Sequence, residues 1–272
     1  MRLLLIRHGE SVDNVAGLYA GSRDSALTSH GVLQTKRLGA SIASRCATIG
    51  PIRHLFASNL KRAFQTAEAI ADACRPQDGD PALLATLDVT RAEELREKDF
   101  GLSEGKKFSH KDKEDGAESS ESMRLRIGTF LDRHLSPVIN QLAAENATVV
   151  VVAHGIILNV LLKALLSRYP PRPASPLLMG ERLGSEFLAP WSNTGVLQAR
   201  LELSGSNASP QLDNTKMIHM TVEYTNNVDH LQGLKKTRGG IGSAKFDSRQ
   251  RTMDSFFTPA SKKRKLGDAK DD

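Results

Sequence analysis

The stretch Leu3-Leu4-Leu5-Ile6-Arg7-His8-Gly9-Glu10 begins apolar and ends charged, and it decides how the first part of the chain folds. A short apolar run that ends near a glycine is typical of a strand buried on both faces of a parallel sheet. Arg7 and His8 then lie where the strand ends, at the edge where open α/β sheets place their ligands. An imidazole beside a guanidinium at that edge suits an oxyanion, above all a phosphate group. Taken alone, Arg7-His8-Gly9-Glu10 is also compatible with a simple polar end of a strand.

A second stretch of the same kind favours the ligand site. Val149-Val150-Val151-Val152-Ala153 is another buried-strand pattern, and His154-Gly155 follows it directly. If the two strands are neighbours in one sheet, their histidines face each other across one pocket. The apolar helix expected from Ile156 onward would direct its free N–H groups and the positive end of its dipole at that pocket.

The remaining pattern predicts an α/β fold. We expect helices over 30–47, 60–73, 122–145 and 156–167, and strands over 52–57, 83–87, 148–153, 193–203 and 217–224. Thr28 or Ser29 should cap the first of these helices, and Ser58 or Asn59 the second. Residues 9–29, 101–121 and 168–190 are predicted to be loops, and 204–215 a polar connection. The order of elements predicts a doubly wound, largely parallel sheet with helices on both faces, followed by a disordered C-terminal tail.

The positive charge of the chain belongs to its C-terminal end. The sequence has 37 Lys and Arg and 31 Asp and Glu, of which 11 and 5 lie in residues 235–272, so the rest carries 26 of each. We therefore expect a neutral domain over residues 1–232 and a flexible basic tail over 233–272. A neutral domain has no electrostatic reason to bind nucleic acid directly.

Several classes of protein are excluded by composition. Two cysteines provide neither a disulfide framework nor the spacing of a metal site. No apolar stretch is long enough to span a membrane. The run before Arg7 is too short for the apolar core of a secretion signal. We expect no membrane association and no metal.

Two further charged residues follow predicted secondary structure. Arg62 falls in the first turn of a helix that follows a strand, where a cation opposes the helix dipole. This position makes sense if an anion binds there, although an ordinary surface arginine is the alternative. Glu97 stands just before the Phe100-Gly101 turn, and its alternative is a solvated charge.

In combination these pieces resemble the histidine phosphatase superfamily, also called the phosphoglycerate mutase-like family. The matching pieces, in the family's order, are Arg7 through Ser11, Asn14, Gly21, Leu27-Thr28 with Gly31, Ser58 through Ala67, Leu95 through Gly101, His154-Gly155 and Trp191 through Gly195. The resemblance implies a doubly wound α/β fold, a phosphohistidine intermediate and no cofactor.

The roles of the site residues follow from this chemistry. His8 would attack phosphorus in line and form a covalent phosphoenzyme that water hydrolyses. Arg7, Arg62 and His154 would bind the phosphoryl oxygens, and Glu97 would protonate the leaving oxygen and then accept a proton from water. The residues expected to bind substrate are Arg7, Asn14, Gly21, Ser22, Arg62, His154 and Gly155.

The region after Glu97 favours a phosphatase over a mutase. Mutases of the family carry long insertions and an arginine-rich stretch there, whereas in this chain the corresponding segment, residues 101–121, is short. The substrate is expected to be a phosphorylated small molecule or a phosphoprotein. Two alternatives stay open: a phosphoglycerate mutase, and a catalytically inactive phosphatase-fold adaptor.

The tail contains a short apolar motif at residues 250–257. Met253, Phe256 and Phe257 are spaced i, i+3, i+4, so one helical turn places them on one side, and Gln250 precedes them. Exposed aromatic residues in a basic, polar segment point to a groove on a partner. The motif resembles the PCNA-interacting motif, which docks on the DNA sliding clamp. The alternative is that the two phenylalanines fold back onto the domain.

A basic run at residues 262–266, Lys262-Lys263-Arg264-Lys265-Leu266, follows this motif. Such a run is typical of a nuclear import signal or of a nucleic-acid contact. Beside a clamp-binding motif, nuclear import is the more coherent interpretation. We therefore expect a nuclear import receptor as a partner and the nucleus as the location, with the cytoplasm as the alternative.

Overall fold

The structure, a computed structural model, describes residues 1–75, 87–108, 116–171, 189–204, 217–235 and 241–246. The strands are β1 (Arg2–Arg7), β2 (Ile52–Ser58), β3 (Val89–Ala92), β4 (Thr148–Ala153), β5 (Val196–Leu203) and β6 (Ile218–Asn227). They form one sheet in the order β3-β2-β4-β1-β5-β6. The first four strands in this order run parallel, and β5 and β6 add an antiparallel edge. The predicted fold class is confirmed.

The described residues also contain six α-helices. They are α1 (Val12–Ala16), α2 (Ser29–Ile49), α3 (Lys61–Cys74), α4 (Ser120–Phe130), α5 (Ser136–Leu142) and α6 (Gly155–Arg168). A π-helical turn over Leu131–Leu135 joins α4 to α5, so the helix predicted over 122–145 is one helical segment with an irregular middle. In the described part of the chain, no helix has both the length and the apolarity needed to cross a bilayer.

Both faces of the sheet are buried, because alternate residues of the central strands enter two different hydrophobic clusters. On β1, Leu3 and Leu5 belong to one cluster, while Leu4 and Ile6 belong to the other. Residues of α2 and α3 complete the second cluster, and residues of α4, α5 and α6 complete the first. Every residue of β4 is buried, as expected for a strand covered on both sides.

The loop predicted over 9–29 contains a short helix that its sequence pattern does not indicate. Ser11 caps α1 in a capping box, since its hydroxyl accepts from the N–H of Asn14 and the Asn14 side chain accepts from the N–H of Ser11. The predicted cap of α2 is confirmed, because Thr28 Oγ1 accepts from the N–H of Gly31 at 2.9 Å.

The predicted cap of α3 is wrong. The helix begins at Lys61 after Leu60, which contributes no side-chain cap. The N–H of Lys61 instead donates to Oδ1 of Asp24 at 2.7 Å. Because this acceptor lies in a distant loop, the local sequence around Ser58 and Asn59 could not indicate it.

The third strand lies later in the chain than predicted. β3 spans Val89–Ala92 and pairs in parallel with β2, whereas residues 83–86 of the predicted strand lie outside the described residues. The polar connection predicted at 204–215 also lies outside them, apart from Ser204.

Part of the tail contacts the folded body. Two residues of the predicted tail bond to the body: the carbonyl of Ala244 accepts from the N–H of Ser29, and the N–H of Phe246 donates to the carbonyl of Leu27. A short 3₁₀ helix over Ile241–Ser243 precedes this contact. The motif at 250–257 and the basic run at 262–266 lie outside the described residues.

An added methyl group should have opposite effects on stability at two glycines that lie in helices. A Cβ at Gly39 on α2 would contact the carbonyl oxygen of Ala69 and, at 3.0 Å, the Cβ of Ala73, whereas a Cβ at Gly128 on α4 would meet nothing within 4 Å. We expect Gly39→Ala to lower the free energy of unfolding by about 1–3 kcal/mol and Gly128→Ala to raise it by up to about 1 kcal/mol. Urea denaturation measures both, and a Gly39→Ala variant as stable as Gly128→Ala would contradict the close approach of α2 and α3.

Candidate active site

His8 and His154 face each other at one edge of the sheet. Their strands, β1 and β4, pair in parallel up to Arg7 and Ala153, so each histidine directly follows its strand at the same end. The two ring centroids lie 5.0 Å apart, and both residues are buried. The structure thus brings the two imidazoles together in one pocket, as the strand pattern predicts.

The ring of His8 is held in a defined orientation. Its Nδ1 lies 2.7 Å from the carbonyl oxygen of Gly9, which can only accept, so Nδ1 carries the proton and Nε2 keeps its lone pair. The Gly9 turn is itself fixed, because its N–H donates to Oγ1 of Thr66 on α3 at 3.0 Å. Nε2 of His8 is therefore the unprotonated nitrogen of a positioned ring.

Both imidazoles are uncharged at neutral pH. Burial lowers the pKa of His8 well below 6.5, and the guanidiniums of Arg62 and Arg7 lower it further. Burial likewise lowers the pKa of His154 well below 6.5, with Arg62, His8, Arg7 and Arg126 adding to the effect. An imidazole must be uncharged to act as a nucleophile, and here burial, with the neighbouring cations, keeps it so.

Two arginines place buried donors beside these rings. Arg7 donates from Nη1 to the carbonyl of Trp191 at 2.6 Å, and Arg62 donates to the carbonyls of Arg23 and Gly21 at 2.6 and 2.8 Å. In the described structure, Nε of both arginines is buried without a hydrogen-bond partner. Buried donors are nearly always paired in proteins, so these donors point to a ligand that accepts hydrogen bonds.

Arg62 is almost completely buried at the start of α3, with 1% of its surface exposed. Burial lowers its pKa to about 10, while Glu97, Asp24 and Asp13 offset part of this effect. A guanidinium remains charged at that value, so a cation is held where the helix dipole is also positive. The solvated surface role considered for Arg62 is excluded by this burial.

Glu97 sits at the N-terminus of α6. Its carboxylate accepts from the N–H groups of Ile156 and Ile157 at 3.2 and 3.1 Å, and from its own neighbour Lys98 at 3.0 Å. Two of the N–H groups that α6 is expected to offer to an anion, those of Ile156 and Ile157, are therefore occupied by Glu97. Glu97 also interacts electrostatically with Arg7 and Arg62, which places it beside the pocket and excludes a freely solvated charge.

The other predicted substrate contacts are used partly within the protein. Oδ1 of Asn14 accepts from Nδ2 of Asn193 at 3.0 Å. The carbonyl of Gly21 accepts from Arg62, and the N–H of Ser22 donates to Glu104 at 2.6 Å. Gly155 is the first residue of α6. The carbonyl of Gly21 and the N–H of Ser22 are thus engaged internally, and contact of Asn14, Gly21, Ser22 and Gly155 with substrate stays a prediction.

Three residues that no sequence pattern assigns to the site contribute to it. Oγ of Ser58 lies 2.9 Å from Nε2 of His154, the carbonyl of Trp191 accepts from Arg7, and Nδ2 of Asn193 also donates to the carbonyl of His8 at 3.2 Å. Ser58 was interpreted as a helix cap, and the turn from Trp191 onward carried only a family resemblance. These contacts join distant parts of the chain, so no local pattern could have identified them.

A cavity of about 310 Å³ adjoins the pocket at Glu97. It is lined by Ser22, Glu93, Arg96, Glu97, Asp99, Gly116, Glu118 and Arg126. Because Glu97 borders both spaces, a ligand anchored at the histidines has room for an attached group here. Within the described ranges, no group of three or more His, Cys, Asp or Glu residues is arranged to hold a metal ion.

Comparison with known proteins supports the chemistry of this arrangement. Residues 3–177 match the model of the histidine phosphatase superfamily, branch 1. A probable phosphatase of Schizosaccharomyces pombe is 32% identical over 93% of this chain and 78% of its own. The probable phosphoglycerate mutase GpmB of Proteus mirabilis is 32% identical over 61% of this chain and 75% of its own.

A solved structure of similar fold is that of phosphoglycerate mutase from Bacillus anthracis str. Sterne. It superposes with a TM-score of 0.56 at 20% sequence identity, covering 85% of this chain and 95% of its own. At this identity the likeness concerns the fold alone.

Because His8 and His154 are uncharged in the folded chain, we expect the free energy of unfolding to fall as the pH is lowered. Their pKa values lie well below 6.5 in the folded chain and return to about 6.5 on unfolding, so below pH 6.5 the unfolded chain binds more protons. Each histidine should then lower the free energy of unfolding by up to about 1.4 kcal/mol per pH unit as the pH falls. Denaturant unfolding at a series of pH values from about 7 to about 5 measures this slope.

His8→Asn and His154→Asn should each reduce that slope, because each removes one group that gains a proton on unfolding. A slope that neither substitution changes would contradict the assignment of uncharged, buried rings.

Proposed function

The chain belongs to the histidine phosphatase superfamily (branch 1), and we propose that it hydrolyses phosphomonoesters through a phosphohistidine formed on His8. The observation that carries this proposal is the convergence of an uncharged, oriented imidazole with two guanidiniums whose Nε atoms are buried and unpaired in the described structure. A phosphoryl group supplies the negative charge and the acceptor oxygens that these donors lack. His8 supplies the nucleophile.

In the first half of the reaction, Nε2 of His8 attacks phosphorus in line with the ester oxygen. A P–N bond forms as the P–O bond to the leaving group breaks, and Glu97 in its protonated form donates its proton to the departing oxygen. The oriented His8 ring reduces the entropy lost in reaching this geometry.

In the second half, water attacks the phosphohistidine from the side that the leaving group has vacated. The Glu97 carboxylate accepts a proton from this water, the P–N bond breaks, and inorganic phosphate leaves with the His8 lone pair restored. One carboxyl group thus serves both halves.

The remaining donors stabilise the transferring group. Arg7 and Arg62 bind the equatorial oxygens. Their positive charge offsets the negative charge of these oxygens as the phosphoryl group passes from the ester oxygen to nitrogen. His154 is uncharged before substrate binds and hydrogen-bonds the same group. These charges are effective because the site is buried and the local dielectric is low.

The size of the adjoining cavity favours a small substrate. A volume of about 310 Å³ lies within the range of small-molecule sites, which supports a phosphorylated small molecule over a phosphoprotein. Glu97 forms part of this cavity wall, so the leaving oxygen would lie next to its proton donor.

A phosphoglycerate mutase is the second candidate function, because several relatives of this chain are named so. A mutase returns the phosphoryl group to a second hydroxyl, whereas a phosphatase delivers it to water. If the protein releases inorganic phosphate without a bisphosphorylated activator, that result would favour the phosphatase over the mutase.

For the tail, we propose a tether to the DNA sliding clamp through Gln250, Met253, Phe256 and Phe257, and nuclear import through Lys262, Lys263, Arg264 and Lys265. Both proposals rest on the sequence of the tail, which concentrates apolar and then basic residues after a neutral body. The tether would place a phosphatase near sites of DNA replication.

Substitution of the proposed nucleophile tests the enzymatic mechanism. His8→Ala should lower kcat by at least about 10⁴-fold and abolish the phosphoenzyme, while His219→Asn on the edge strand β6 should keep both. Turnover of an aryl phosphate, together with mass spectrometry of enzyme quenched in alkali to preserve the P–N bond, measures both quantities. Phosphate on another residue, or full activity of His8→Ala, would refute the mechanism, and wild-type protein without any turnover would support the adaptor.

The tail proposals are tested by two matched sets of substitutions in the full chain. Replacing Phe256 and Phe257 by Ala removes two aromatic anchors and should weaken binding to purified clamp by at least about 100-fold, while Phe246→Ala outside the motif should not. Replacing the basic residues of 262–265 by Ala should abolish nuclear accumulation of a fluorescent fusion without affecting clamp binding. Unchanged clamp binding by the first variant, or unchanged localisation of the second, would overturn the corresponding proposal.

A further inference from the structure

One arginine on α4 binds the backbone of the segment that carries Glu97. Nη1 of Arg126 donates to the carbonyl oxygens of Glu94 and Arg96, both at 2.6 Å, and Nη2 lies 3.4 Å from the carbonyl oxygen of Glu97 itself. Three carbonyls from four consecutive residues therefore converge on a single guanidinium. This is a fixed, planar set of donors that a lysine could not reproduce.

The same guanidinium is clamped from its other side by Glu118. Nε of Arg126 donates to Oε1 at 2.7 Å and Nη2 donates to Oε2 at 2.8 Å, a bidentate pair with 19% and 13% of the two side chains exposed. Oγ of Ser122 adds a bond to Oε1 at 2.9 Å. Burial alone would raise the pKa of Glu118, but the hydrogen bonds from Arg126 and Ser122 lower it below its usual value. The pair therefore stays charged.

Glu118 is tied to the same segment by its backbone. Its N–H donates to the carbonyl of Asp99 at 2.8 Å, and its Oε2 lies 3.4 Å from the N–H of Asp99. The chain from Glu94 to Asp99 is thus bonded to the pair at both ends, with Glu97 between them.

The segment has little regular structure of its own to hold Glu97. A single 3₁₀ turn ends at Leu95, and the next begins at Gly101. The α6 N–H groups bind the Glu97 carboxylate, but they cannot fix the backbone from which it extends. Arg126 supplies donors to carbonyls that regular structure would otherwise pair.

We propose that Arg126, with Glu118 as its counter-ion, is a positioning residue that places the Glu97 carboxyl at the leaving oxygen. This inference rests on the proposed role of Glu97 as the proton donor. Without the guanidinium, the backbone around Glu97 shifts, and a displacement of about 1 Å at a proton donor can cost about 100-fold in rate.

The neighbouring pair on α4 provides a matched control. Arg124 and Glu121 also form an ion pair on this helix, but both side chains are largely exposed, at 68% and 60%. Such a pair contributes little to stability and touches no part of the site. Arg124→Met therefore removes the same charge from the same helix without loosening Glu97.

The test compares kcat/KM for two substrates whose leaving groups differ. An alkyl phosphate that the wild-type enzyme turns over needs a proton on its leaving oxygen, whereas 2,4-dinitrophenyl phosphate does not. Since kcat/KM reports the steps up to phosphorylation of His8, a defect in proton donation lowers it for the alkyl ester and spares the dinitrophenyl ester. Because Arg126 also lines the cavity beside Glu97, a lost contact with the alkyl group is recognised by a further loss when Arg126→Met is added to Glu97→Gln.

We expect Arg126→Met to lower kcat/KM for the alkyl ester about 10- to 100-fold and for the dinitrophenyl ester less than about threefold. Arg126→Lys and Glu118→Gln should show the same selective loss to a smaller extent, since part of the clamp remains, and Arg124→Met should show none. Equal losses for both esters in Arg126→Met would overturn the proposal, because they indicate general loss of structure or of attraction for the anionic substrate. If Arg126→Met does not fold, Glu118→Gln decides in the same way.

Glu97→Gln separates failure of this inference from failure of the proposed function. It should show the same selective loss, and adding Arg126→Met to it should change neither substrate further, because the two residues act through one proton. If Glu97→Gln is not selective, the proton-donor role itself fails. If Glu97→Gln is selective and Arg126→Met is not, only the positioning role fails.

Discussion

The structure depends on concentrated positive charge buried at the end of two neighbouring parallel strands. Arg62 is buried and Arg7 is half-buried beside His8 and His154, and neither guanidinium is neutralised by a bonded carboxylate in the described structure. Their hydrogen bonds go to backbone carbonyls. Burying a charge in this way is costly unless a partner is present, so the fold is built to receive an anion. Burial and the same charges together keep both imidazoles uncharged, which allows one of them to act as a nucleophile.

The only carboxylate assigned to the reaction is kept apart from direct pairing with these cations. The N-terminus of α6 holds Glu97 through backbone N–H groups, while α4 holds its main chain through Arg126. A carboxylate bonded directly to Arg7 or Arg62 would compete with the phosphoryl group for them. Because Glu97 is held by α6 and Arg126, the guanidiniums of Arg7 and Arg62 are available to bind the substrate, and the Glu97 carboxyl is available for proton transfer.

The sequence predicts what local pattern and strand order determine. Apolar runs before His8 and His154 predict two buried strands, and parallel strands bring their ends to one edge, which the structure confirms. The cap of α3 by Asp24, the carbonyl of Trp191 on Arg7 and the bond of Ser58 to His154 were not predictable, since each joins residues that only the tertiary fold brings together. The occupation of two α6 N–H groups by Glu97 was not predictable for the same reason, because Glu97 comes from another part of the chain.

The most direct test of the central claim is a crystal structure of the protein with orthovanadate, which imitates a phosphoryl group in transfer. The account predicts vanadium within bonding distance of Nε2 of His8, with the side chains of Arg7, Arg62 and His154 on its equatorial oxygens and Glu97 beside an apical one. Vanadate bound away from His8, or bound there with either guanidinium turned outward, would contradict it.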